Sequence, residues 1–211
     1  MRYFVKTPWW LKKIYPHRLW QVATKEKIIY LSFDDGPHPV VTPFVLDELK
    51  KYNAKATFFC IGKNVIDYPV LYNKIIDEGH QVGNHTQHHL NGWKTNNETY
   101  LSDVALAAKC IQSNLFRPPY GKIKSIQSKG ISGAMKNELA KIVMWDVLSG
   151  DFDESLSKEQ CLNNVIHNTS RGSIVVFHDS DKAFSRLQYT LPKTLDFFSS
   201  KGYIFKELEI L

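Results

Sequence analysis

The residues able to do chemistry fall in five short clusters. Asp34 and Asp35 stand side by side in LSFDDGPHP (31–39). His85, His88 and His89 belong to HTQHH, Arg117 opens RPPYG, Ser149-Gly150-Asp151 forms a fourth group, and His178-Asp179 closes IVVFHD. His85 and His89 are four apart, so a helical turn would present both imidazoles on one face, the spacing a divalent cation needs. His85 and His88 form an alternative pair. One carboxylate would complete a facial Asp-His-His set and leave positions for water and substrate. A second carboxylate beside it, not ligating, would accept a proton from the attacking water. Asp34 and Asp35 therefore divide between metal ligand and general base. Two adjacent carboxylates are tolerated at a buried strand end when a dication and an arginine sit beside them, and Arg117 is the candidate arginine. His178 would be the acid that protonates a leaving group, oriented by a nearby carboxylate. The combined chemistry is metal-assisted hydrolysis.

The elements that must position these residues alternate along the chain. Apolar, β-rich segments are read at 27–33, 56–61, 81–84, 115–117, 142–146, 173–177 and 203–205. Helical spacing appears at 41–52, 69–78, 98–112, 157–167 and 187–200, with Ser157 and Gln160 in capping-box positions. Residues 123–133, rich in Gly and Ser, read as loop with a short helix. Alternation of this kind implies βαβ units around a parallel sheet. The expected fold is α/β, a TIM-barrel-like (β/α) barrel of about seven units. Each reactive cluster follows a strand, so all five lie at the carboxyl ends of the strands, where barrel enzymes assemble their sites.

The chain has 211 residues, 43% of them hydrophobic, enough for one sizeable core. We expect one catalytic domain over 25–211, preceded by an arm over 1–24. The net charge is +6, but the lysines are scattered and the densest run, 122–129, is short. We read them as a solvated surface and expect no nucleic-acid partner. Cys60, Cys110 and Cys161 are far apart, which argues against both a disulfide framework and a thiolate zinc site. No segment approaches the apolar length of a bilayer span. MRYFVKTPWWLKKIYP lacks a signal-peptide core. The expectation is a cytoplasmic chain as it stands, or an exported one whose leader has been removed.

Together the motifs resemble the polysaccharide deacetylases of carbohydrate esterase family 4, the NodB homology domain. SFDDGP (32–37) is similar to the family's TFDDG, and HTQHH (85–89) to H-[ST]-x-x-H, which selects His85 and His89 over His88. RPPY (117–120) is similar to R-x-P-[YF], WDVLSGDF (145–152) to the stretch ending in Asp-Trp, and IVVFH (174–178) to the strand ending in the catalytic histidine. The likeness spans about 25–208. It implies a distorted (β/α) barrel and a divalent metal, usually zinc with cobalt also possible, held by Asp35, His85 and His89. It implies Asp34 as base, His178 as acid, Arg117 orienting Asp34, Asp151 pairing with His178, and the Tyr120 backbone N–H at the oxyanion. The family's Asp-Trp is Asp151-Phe152 here, and Asp146 is a second candidate partner for His178.

The activity implied is removal of N-acetyl groups from β-1,4-linked N-acetylglucosamine in chitin fragments or peptidoglycan, by a monomer. Two alternatives stand beside it. One is an O-acetyl xylan esterase. The other is a non-catalytic barrel that holds sugar on exposed aromatics such as Trp93.

Overall fold

In the computed structural model, which describes residues 3–209, β1 (Ile28–Asp34) is buried along its whole length. A parallel strand covered on both faces reads as a nearly unbroken apolar run, as IIYLSF does. Its side chains still alternate by face. Ile29, Leu31 and Phe33 enter the core shared with α2 (Val41–Lys51) and α8 (Asp181–Ser199). Ile28 and Tyr30 enter a second cluster with Phe59, Leu115 and Val143. By parity Ser32 and Asp34 continue this second row.

Six strands join β1: β2 (Ala56–Cys60), β3 (Gln81–Asn84), β4 (Leu115–Phe116), β5 (Lys141–Ile142), β6 (Val147–Leu148) and β7 (Ile174–His178). Their order is β5-β4-β3-β2-β1-β7-β6, and every neighbouring pair is parallel. β8 (Ile204–Phe205) pairs with Ile28 and Ile29. The sheet curls with its edges at β5 and β6, the distorted (β/α) barrel that the sequence implies. Register builds its core. Phe33 lies opposite both Phe58 and Phe177, and the rings stack at 5.1 and 5.9 Å.

Helices α3 (Gly62–Asp67), α4 (Pro69–Asp77), α5 (Asn97–Ala107), α6 (Ser125–Met135) and α7 (Lys158–Asn168) fill the connections. Ser157 and Gln160 form the expected capping box of α7. Among the described residues no helix is long and apolar enough to cross a membrane.

Two local expectations are corrected. Residues 142–146 are not one strand. β5 and β6 belong to opposite edges of the sheet, and the chain between them also bonds to residues 7 and 19: Thr7 N–H donates to Asp146 O, and Met144 N–H to Leu19 O. Residues 123–133 are mostly α6, not loop. Gly130 lets α6 approach α5, because a Cβ there would stand 2.6 Å from Leu101 Cδ1. The segment before residue 25 includes a short helix, α1 (Trp9–Ile14), and it bridges the two sheet edges. Lys6 pairs with Val147 of β6, and Leu19 with Val143, next to β5. The open edges are thereby covered.

Candidate active site at the carboxyl ends of the strands

β1 and β7 run in register, so Asp34 is the direct neighbour of His178. Arg117 follows β4, and its N–H donates to Asn84 O at the end of β3. This places Arg117 beside the next residue, His85. Sheet register therefore brings four of the sequence clusters to the same end of the sheet.

Arg117 is completely buried. Its guanidinium donates to Asp34 Oδ1 at 2.6 Å, Ser32 Oγ at 2.8 Å, Met144 O at 2.9 Å and Val143 O at 3.3 Å. It also lies 3.9 Å from the Phe59 ring centroid. Burial pulls its pKa down, while the Asp34 carboxylate opposes that shift. The pair compensates two charges that would each be costly to bury alone.

Asp35, His85 and His89 present one ligand atom each, all within 4.8 Å of one another. His85 Nδ1 is 2.8 Å from Arg117 O. A carbonyl only accepts, so Nδ1 carries the proton and Nε2 keeps a lone pair toward Asp35. Burial lowers the His85 pKa to about 4, keeping the ring neutral. Asp35 Oδ1 is buried and accepts no hydrogen bond, though His89 Nε2 lies at 3.2 Å and His85 Nε2 at 3.7 Å. Burial disfavours its charge, yet His89, His178 and His85 hold the carboxyl far below its ordinary range. An orphaned carboxylate oxygen facing two imidazole nitrogens is what a divalent cation satisfies. The donor set fits the metal that the family implies.

The two histidines do not share a helical turn, as their spacing suggested. Thr86 and His89 adopt left-handed φ values of 65° and 57°, and the loop itself folds the rings together, with centroids 5.1 Å apart. His88 is turned away. Asp103 accepts from the main-chain N–H groups of Gln87 and His88 and from His88 Nδ1, at 2.9, 3.0 and 2.6 Å.

Asp151 is the carboxylate partner of His178. Its two oxygens accept from the His178 ring Nδ1 and main-chain N–H, each at 2.8 Å. Burial acts to lower the His178 pKa, but Asp151, with help from Asp35 and Asp34, raises it to about 9. Asp146 is engaged elsewhere, by Lys6, Lys12 and Ser173. Phe152, in place of tryptophan, meets the His178 ring edge-on at 5.1 Å.

Asp34, Asp35, His85, His89, Tyr120 and His178 line one cavity of about 310 Å³. Tyr120 has φ 60° and packs its ring on His89 at 4.6 Å. Trp93 is exposed and lies outside the cavity lining.

Supporting residues escaped the sequence reading. Asn64 Nδ2 donates to Asp35 O at 2.7 Å. Asp179 accepts from Gly36 N–H at 2.9 Å and Thr42 Oγ–H at 2.5 Å, pinning the loop that carries both aspartates. The residue pair His178-Asp179 was the only sequence signal for it. Asp103 and Asn64 sit in unremarkable helical segments and gave none.

Comparison with known proteins agrees with this geometry. A polysaccharide deacetylase family model matches residues 21–132, a span that holds Asp34, Asp35, His85, His89, Arg117 and Tyr120. A peptidoglycan-N-acetylglucosamine deacetylase of Bacillus cereus is 36% identical over 192 residues, 88% of either chain. A chitooligosaccharide deacetylase of Azorhizobium caulinodans is 33% identical over 166 residues, 75% of this chain and 77% of that one. The crystal structure of the Bc1960 peptidoglycan N-acetylglucosamine deacetylase superposes with a TM-score of 0.84 at 30% identity, covering 96% of this chain and 95% of that one. With two carboxylates, two converging histidines and a carboxylate-held histidine on a curled parallel sheet, this chain belongs to the polysaccharide deacetylases of carbohydrate esterase family 4.

Proposed function

We propose that the chain is a divalent-metal-dependent N-deacetylase of β-1,4-linked N-acetylglucosamine saccharides, with peptidoglycan or chitin fragments as substrate and zinc as the metal. The observation that carries the reading is the convergence of an Asp35-His85-His89 set with two differently supported proton-transfer groups in one cavity. Relatives named for deacetylation of peptidoglycan and chitooligosaccharides support the substrate class.

Asp35, His85 and His89 would hold the ion. When bound, it polarises the acetamide carbonyl and makes water more acidic. Asp34 takes a proton from the water whose oxygen bonds to the carbonyl carbon. Arg117 fixes the Asp34 carboxylate for that transfer. The oxyanion of the tetrahedral intermediate faces the main-chain N–H of Tyr120. His178, protonated and aimed by Asp151, gives its proton to the nitrogen as the C–N bond breaks. Acetate and a free amine leave. An amide needs this acid because an amide anion is a poor leaving group. All of these groups come from one chain, which supports a working monomer.

The test is acetate release from chitooligosaccharides, peptidoglycan and acetylated xylan after EDTA treatment and after Zn²⁺ or Co²⁺ addition. Metal-restored release from an N-acetylglucosamine polymer, abolished in Asp34→Asn, is expected. Release from xylan alone would reassign the chain as an O-acetyl esterase. Bound metal without release from any of the three would leave a sugar-binding barrel.

A further inference from the structure

Tyr3 is far from the site in sequence and close to it in space. Its hydroxyl donates to Asp153 Oδ2 at 3.0 Å. Its ring packs on Phe152 with centroids 5.3 Å apart, and Phe152 in turn meets His178. Tyr3 and Phe152 both line the cavity that holds Asp34 and Asp35. Gly150 makes room for the hydroxyl, since a Cβ there would stand 3.1 Å from Tyr3 Oη.

The segment carrying Tyr3 is firmly held. Lys6 Nζ and Lys12 Nζ each donate to the buried Asp146 carboxylate at 2.6 Å. Lys6 also donates to Asn168 O at 2.7 Å, and Leu148 N–H of β6 donates to Val5 O at 2.8 Å. The clamp lies outside the residues matched by the family model, which begin at 21. It fixes an aromatic ring at the cavity wall that neither the proton transfers nor the metal set uses.

We propose that Tyr3 is a substrate-positioning residue: with Phe152 it forms an aromatic wall against which the sugar ring bearing the departing amine seats. The inference rests on the deacetylase reading. The departing nitrogen must come within reach of His178. The ring that carries it therefore lies against the wall next to His178, and that wall is Phe152 followed by Tyr3. An aromatic face suits the C–H face of a pyranose. The Tyr3 hydroxyl and the Asp153 carboxylate offer hydrogen bonds to the sugar's edge.

Steady-state kinetics on N-acetylglucosamine tetramer test it, with melting temperatures measured alongside. Tyr3→Ala is expected to raise KM about threefold to tenfold, the range for one aromatic contact, with kcat and melting temperature close to wild type. Tyr3→Phe keeps the face and is expected to recover most of the affinity. An unchanged KM in Tyr3→Ala, with the wild type turning over, overturns the positioning role. So does a fall in kcat and melting temperature together at unchanged KM, which marks a structural residue. Absence of acetate release by the wild type from both the tetramer and peptidoglycan overturns the deacetylase reading, and this inference with it.

Discussion

Asp151 grips His178 twice, at the ring Nδ1 and at the main-chain N–H, each at 2.8 Å. One carboxylate thus sets both the tautomer of the ring and its direction, and leaves Nε2 for the proton transfer we propose. The same contact favours the charged form of a half-buried imidazole.

That charge predicts a pH profile. His178 has its pKa raised to about 9, so the acid is present at neutral pH and is lost as pH rises through that value. The alkaline limb of kcat is expected near pH 9, and Asp151→Asn is expected to move it to lower pH, because the largest charge opposing burial is then gone. Folding follows the same sign. The stabilisation from this pair is fully present below the ordinary histidine value of 6.5 and disappears as pH rises through about 9. A limb that stays in place in Asp151→Asn would assign the titration to another group.

His178→Ala separates amide from ester chemistry. Loss of a positioned acid is expected to cost on the order of 10²- to 10⁴-fold in amide hydrolysis. An activated acetate ester, whose leaving group departs without protonation, is expected to lose much less. Parallel losses on both substrates would remove His178 from the leaving-group step.

The metal set predicts a contrast between neighbouring histidines. His85→Ala and His89→Ala are expected to lose stoichiometric Zn²⁺ in equilibrium dialysis. His88→Ala is expected to retain it, since Asp103 draws that ring away. Gly36→Ala is expected to damage the same site from a distance. Its Cβ would stand 2.0 Å from Asp179 Oδ2, an overpacking that costs about 1–3 kcal/mol and moves the loop bearing Asp35.

Arg117→Met tests the buried pair. It leaves Asp34 without its charged partner, a change worth about 3–5 kcal/mol of stability. Thermal denaturation is expected to show a fall on the order of 10 °C for a chain of this size, together with loss of activity. A variant that melts like the wild type would mean that Asp34 is solvated or protonated at little cost.

The Asp146 clamp makes acid stability a readout of the arm. Burial disfavours the Asp146 charge, but Lys12, Lys6 and Ser173 outweigh it and lower the pKa. Its contribution is present above the ordinary carboxylate range and is lost as pH falls through the depressed value. Asp146→Asn is expected to flatten the acid side of a melting-temperature profile and to loosen residues 3–12 in hydrogen exchange.

Much of the site was legible because its chemistry is written in residue types. Asp34-Asp35, the His85–His89 spacing, Arg117 and His178 each end or follow a strand, and a parallel sheet places all strand ends on one side. The β1 run and the α7 capping box are local patterns, read correctly from local sequence. What local pattern could not carry was any choice settled by distant partners. The loop geometry that joins His85 to His89 depends on Asp103, which also removes His88. Asp151 rather than Asp146 serves His178 because Asp146 lies level with Ile174, at the amino end of β7, where two lysines from the first twelve residues hold it. α6 forms despite its glycines because Leu101 of α5 packs into the space Gly130 leaves. Composition and period determined the fold class, the strand-end placement and the reactive residue types, since these depend on near neighbours and side-chain chemistry. The partner of each reactive group was decided only by tertiary structure, because burial makes every charge and hydrogen-bonding atom find a mate wherever the chain happens to bring one.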